Sequence, residues 1–197
     1  VEFEIARRLD PDMPFIRRRL AEALLGCGEP ERARLQLEDA FDRLQPEETF
    51  DETFHLADML LEVGTTTKAL PLFERLAVEQ PEDLQVLRRL AVCRYRLGDI
   101  AGGVTISRRV LRQDPTCIRS MHNISVAAME EGRFMSAFIW AKRGLAEDPL
   151  DPGLRRLRSR LWTRLAWTWS LGLPRFTGST LVQVMKRIRR RQNHLKD

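Results

Sequence analysis

Apolar residues along this chain recur at helical spacing. In the stretch "LQVLRRLAVCRYRLGDIAGGVTISRRVLRQDPTC" (residues 84–117), Leu87, Leu90, Ala91 and Tyr95 stand three and four residues apart. Residues so spaced share one face of a helix, which predicts a first amphipathic helix here. Gly98 ends it, since glycine takes the left-handed conformation of a helix C-cap without a steric penalty, and Asp99 is placed to cap the helix that follows. Val104, Ile106, Val110 and Leu111 mark that second helix. It stops before Asp114-Pro115, because a proline pushes the preceding residue out of helical geometry and has no N–H to donate. The stretch reads as a two-helix hairpin.

The chain writes this hairpin repeatedly. Prolines stand at 11, 46, 81, 115 and 149, and Gly28, Gly64, Gly98 and Gly132 each close an apolar run. Both signals keep a period of about 34 residues, the mark of a repeat array in which each unit buries its apolar face on the next. The frame gives four repeats over 14–151, at about 14–47, 50–83, 84–117 and 118–151. Residues 1–13 fit the second helix of a truncated repeat, with Phe3 and Ile5 on an edge open to self-association. The chain opens with Val inside a unit, so a preceding segment is expected. Residues 152–174 follow as a capping helix, with Leu154, Leu157, Leu161, Leu165 and Trp162 read as one side. Residues 175–197 follow as a basic amphipathic C-terminal helix, with Ser179 placed to cap it and Leu181, Val184, Met185 and Ile188 on one stripe.

Small residues keep the same phase. A Leu–small pair or its equivalent stands at Leu20-Ala21, Leu56-Ala57, Leu90-Ala91 and Ile124-Ser125, and the second helix opens on Ala33, Ala69, Gly103 and Ala137. A later small position holds Ala40 and Gly144 but also Leu76 and Val110. An early large position holds Arg17, Thr53, Leu87 and Met121. This pattern resembles the tetratricopeptide repeat family, with the family's early Trp replaced in every unit. The resemblance implies an all-α fold: a right-handed superhelix (α-solenoid) of about four such helix hairpins plus flanking helices. It also implies that the first helices line a concave, ligand-binding groove. The groove positions are then Arg18, Arg19 and Glu22; Phe54, His55 and Asp58; Arg88, Arg89 and Val92; and Arg119, His122 and Asn123. Some family members grip the C-terminal carboxylate of a chaperone with a Lys/Asn/Arg clamp. Asn123, Arg89 and Arg119 match parts of it, and no three successive units complete it.

Candidate chemistry changes little. Hydrophobic residues make up 43% of the chain, enough to bury a core. The three cysteines (Cys27, Cys93, Cys117) are too scattered for a disulfide framework or a CxxC site and read as reduced thiols on helices. No phosphate-binding glycine loop and no HExxH is present. His55, His122 and His194 lie far apart, and the carboxylates fall on turns and outer faces as solvated charge. The reading is therefore non-catalytic, with no cofactor and no metal. No run of 18 apolar residues is present.

Charge does change the picture. The net +5 divides into 21 Lys/Arg against 27 Asp/Glu over residues 1–152 and 12 against one over residues 153–197. Lys186, Arg187, Arg189, Arg190 and Arg191 crowd the tail. A basic amphipathic helix with Trp167 and Trp169 before it reads as a membrane-surface or partner-binding segment, or as a solvated cap. The groove arginines offer planar forks of donors that suit carboxylates, or they solvate an open groove. The expected function is a protein–protein scaffold or adaptor that binds a peptide or protein of acidic character. The alternatives are a regulatory or targeting segment of a larger enzyme, or peripheral membrane attachment through the basic helix. A homo-oligomer and an anionic membrane surface join the partners. Nucleic acid is disfavoured, because the body carries −6. The expected place is cytoplasmic or peripheral to a membrane.

Overall fold

The computed structural model describes residues 14–44 and 48–172. Nine α-helices follow one another there: α1 (Pro14–Gly26), α2 (Pro30–Asp42), α3 (Phe50–Glu62), α4 (Thr66–Glu79), α5 (Leu84–Arg96), α6 (Ile100–Gln113), α7 (Ile118–Glu130), α8 (Phe134–Glu147) and α9 (Pro152–Gly172). The open edge at Phe3 and Ile5 and the basic helix from Leu181 to Arg191 lie outside the described residues.

Short polar signals set the helix ends. Gly98 takes φ +83, with Gly28, Gly64 and Gly132 in the same left-handed region. That conformation lets Asp99 N–H return to the Arg94 carbonyl at 2.9 Å, which satisfies a carbonyl the helix end leaves open. Asp99 then caps α6 by accepting from Gly102 N–H at 2.9 Å. The Gly102 hydrogen bond, followed by that from Arg94, holds the Asp99 carboxyl below its ordinary range. Asp83 caps α5 by accepting from Gln85 and Val86 N–H, and Thr49 with Glu52 forms a capping box on α3.

Each helix packs on the next, and first helices of successive hairpins also touch, α3 on α5 and α7 on α9. The result is an all-α, right-handed solenoid. Small residues let backbones close in. A Cβ on Gly103 would stand 2.8 Å from the Tyr95 ring, and one on Gly144 would stand 2.5 Å from Leu154 Cδ1. Ser125 Oγ donates to the Ala137 carbonyl at 2.6 Å, across the hairpin of α7 and α8. The early large position is buried in all four units, with Arg17 5%, Thr53 0%, Leu87 1% and Met121 0% exposed. Arg17 resolves its burial by an ion pair with Asp39 of α2. Charge also ties the second hairpin to the third: Arg89 pairs with Asp58, Arg94 with Glu74 and Arg109 with Glu82. Arg96 Nη1 donates at 2.5 Å to the Leu61 carbonyl, in the last turn of α3.

Several expectations need correction. Leu154, Leu157 and Leu161 of α9 face inward as read, but Trp162 is 64% exposed. One residue past Leu161 is about 100° further round a helix, which carries the indole off the buried stripe and beside Phe138. The side chain of Leu165 lies outside the description. Only Cys93 sits within a helix; Cys27 is in the turn after α1 and Cys117 occupies the N-cap position of α7. The carboxylates are not all solvated: the Glu48 side chain is 9% and that of Asp58 21% exposed, and each pairs with an arginine.

The thiols differ sharply. Cys27 is exposed, while Cys93 and Cys117 are buried. Burial, opposed by Arg96 and Arg89, pushes the Cys93 thiol up to about 11, and the thiolate is the reactive form. At neutral pH, one equivalent of iodoacetamide is therefore expected to label Cys27 alone, with Cys93 and Cys117 labelled only on denaturation. Peptide mass mapping checks this. Early labelling of Cys93 would contradict the packing between α5 and its neighbours.

Candidate functional site in the concave groove

Two hollows open on the groove side. The larger, about 550 Å³, is bounded by α5, α7 and the start of α9. Arg88, Arg89, Arg119, His122 and Asn123 stand around it. They meet because the residues after Asp83 and Cys117 begin two parallel readings of the same hairpin, so equivalent turns of α5 and α7 face the same side. Ala91, Val92 and Ile118 give it apolar wall, and Asp151 with Gly153 closes it at α9. The His122 ring packs here, with Nε2 3.3 Å from where a Gly153 Cβ would stand.

The charges in this hollow are not equivalent. Arg89 is committed: its Nη2 donates to Asp58 Oδ2 at 2.9 Å, and its Nε lies 2.7 Å from Asp58 Oδ1 within the same ion pair. Asp151 is committed as well, accepting from Leu154 N–H at 2.6 Å as the cap of α9. Arg88 and Arg119 form no ion pair among the described residues. Two guanidinium groups therefore face the hollow with donors to spare, beside the amide of Asn123.

The smaller hollow, about 340 Å³, is lined by Arg18, Arg19, Glu22, Asp51, Glu52 and His55. Its cations are already answered. The Arg18 side chain is only 5% exposed and sits 2.6 Å from Glu48 and 3.6 Å from Glu52, so it serves structure rather than an open groove. Arg19 reaches Glu22 at 2.9 Å, and His55 Nε2 lies 2.5 Å from the other Glu22 oxygen. Burial pushes the Glu22 carboxyl up, but the hydrogen bonds from His55 and Arg19 and the Arg19 charge outweigh it and hold the group below its ordinary range. Phe54, read as a groove residue, packs edge-on against Phe73 at 5.7 Å and belongs to the core. Among the described residues, no group of three or more His, Cys, Asp or Glu could hold a metal ion, and no helix is long and apolar enough to cross a membrane.

Sequence reasoning missed Gln85, Asp151 and Gly153 at the larger hollow. Gly153 lies in the capping helix and Asp151 immediately before it, and no repeat period encodes that helix's approach to the groove. It also missed the Arg89–Asp58 pair, although both residues stood among the groove positions.

Residues 54–116 match a family model described as tetratricopeptide repeat. No curated protein matches the chain in sequence. Among solved structures it resembles YrrB, described as a TPR protein with an unusual peptide-binding site, at TM-score 0.67 and 16% identity over 80% of each chain. It is also similar to residues 41 to the end of MamA from Desulfovibrio magneticus RS-1, at TM-score 0.62 and 13% identity over 78% of this chain and 85% of that one. MamA of AMB-1 aligns at TM-score 0.58 and 18% identity over 80% and 85%. At these identities the likeness is one of fold.

Proposed function

We propose that this chain, a right-handed stack of tetratricopeptide repeats, is a non-catalytic adaptor that holds an acidic or carboxylate-ended peptide in its concave groove. The observation that carries this reading is the pair Arg88 and Arg119. They line a hollow of about 550 Å³ and have no ion pair among the described residues, while Arg18, Arg19 and Arg89 are each matched to a carboxylate. A ligand carboxylate supplies what those two lack. Asn123 and Gln85 offer amides to a peptide backbone, and Val92 and Ile118 offer apolar wall to a side chain. The likeness to YrrB, a TPR protein with a peptide-binding site, supports a peptide as the occupant.

The test is calorimetric titration with one peptide sequence made twice, ending in a free acid or in an amide, each with acidic or neutral side chains. Hydrogen bonds to charged groups contribute about 1.5–3 kcal/mol each. The acidic free-acid peptide is expected to bind at least about ten-fold more tightly than the neutral amide, with the difference shrinking in high salt. Equal affinity for all four peptides would remove the arginine pair from the site.

A further inference from the structure

On the side of α8 and α9 away from the groove, the solenoid exposes apolar surface that no described residue covers. Met135 is 56%, Ile139 61% and Trp162 64% exposed. Met135, Ile139 and Lys142 recur at four and three residues, so they form one stripe along α8. Phe138 stands beside that stripe with its ring centroid 6.3 Å from that of Trp162, which joins the two helices into one patch. A shallow hollow of about 440 Å³ lies there, lined by Phe138, Arg158, Ser159, Trp162 and Thr163. Contiguous exposed apolar surface of this kind marks an interaction site.

The cations on the patch are Arg158, which lines the hollow, and Lys142 of the α8 stripe, and neither makes an ion pair among the described residues. A charge imbalance runs through the whole solenoid: residues 14–83 hold eight Lys/Arg against sixteen Asp/Glu, and residues 84–164 hold sixteen against seven. One half is net −8 and the other net +9. Beyond Arg164 the sequence keeps the same composition, with Trp167 and Trp169, then seven Lys/Arg against one Asp over residues 173–197.

We propose that this outer corner of α8 and α9 docks on an anionic membrane surface. Tryptophan and aliphatic side chains enter the headgroup boundary, while the flanking cations meet lipid phosphates and carboxylates. Each basic residue held near an anionic surface strengthens partitioning by about five-fold. A lipid surface is favoured over an acidic protein because the apolar and cationic groups spread over two helices around a shallow hollow, and a laterally continuous partner meets all of them at once. The charge division also sets the orientation. The acidic half, residues 14–83, is repelled and stands away from the surface. The inference is independent of what the groove binds.

The experiment is co-sedimentation of the full chain with vesicles of phosphatidylcholine alone and of phosphatidylcholine mixed with phosphatidylserine. Binding is expected to the mixed vesicles only and to weaken as salt rises. The double variants Ile139→Ser/Trp162→Ala and Lys142→Glu/Arg158→Glu each alter exposed residues and are expected to lower partitioning at least ten-fold with unchanged helicity. Arg88→Glu/Arg119→Glu is expected to retain vesicle binding. Parent-like partitioning of both corner variants would place any lipid contact elsewhere and overturn the proposal. So would a concentration-dependent dimer, seen by light scattering and lost in the corner variants, in a chain that ignores vesicles; that outcome assigns the corner to a second copy.

Discussion

Phe73→Ala is expected to lower the unfolding free energy by about 3–5 kcal/mol, the range for emptying a large buried aromatic site. Phe73 is 0% exposed and lies in the cluster that runs from Leu20 of α1 to Cys93 of α5. Its ring meets Phe54 at 78° between planes, an edge-to-face contact worth about 0.5–1.5 kcal/mol beyond burial. Small residues of the same cluster on α2 and α3, Ala33 and Ala57, are 0% exposed and have no long side chain to swing into a void. Urea unfolding followed by circular dichroism measures the loss, with Val78→Ser, at a residue 82% exposed, as the neutral comparison. A loss under about 1 kcal/mol would mean that the first two hairpins are packed differently.

Arg88→Glu/Arg119→Glu is expected to abolish binding of an acidic peptide, by about 100-fold or more if each arginine makes one charge-assisted contact. Helicity and urea midpoint are expected to hold, since neither residue is matched to a carboxylate among the described residues. Arg89→Glu is expected to behave differently. It removes the partner of Asp58 and sets a second carboxylate beside a side chain only 21% exposed, so stability falls along with binding. Peptide affinity within two-fold of the parent for the double variant, measured by titration calorimetry, would contradict the assignment of the groove.

The repeat architecture is legible in the sequence because the punctuation has a physical cause that recurs. A left-handed residue must follow each first helix, and the chain supplies glycine at each such place from Gly28 to Gly132. What lies on each face was read less well. Val86 and Cys93 are 0% exposed yet fall off the single stripe through Leu87, Leu90 and Ala91. Helix α5 touches α4, α6 and α3, so its buried arc is wider than one amphipathic face. Period also says nothing about what a long side chain finds across an interface. Arg18 sits at an open groove position by its phase, but Glu48, 30 residues on, draws it into burial. Phe54 likewise turns to Phe73. Trp162 was assigned inward on its apolar character, and its angular position put it outside.

The most direct measurement of the groove assignment is titration of the isotopically labelled chain with an acidic peptide bearing a free C-terminus, followed through its backbone amide resonances. The account predicts that the amides of Arg88, Arg119, Asn123 and Gly153 shift together and saturate at one affinity, with those around Arg19 and His55 undisturbed. Shifts confined to α6 and α8, or centred on the Glu22–His55 hollow, would contradict it.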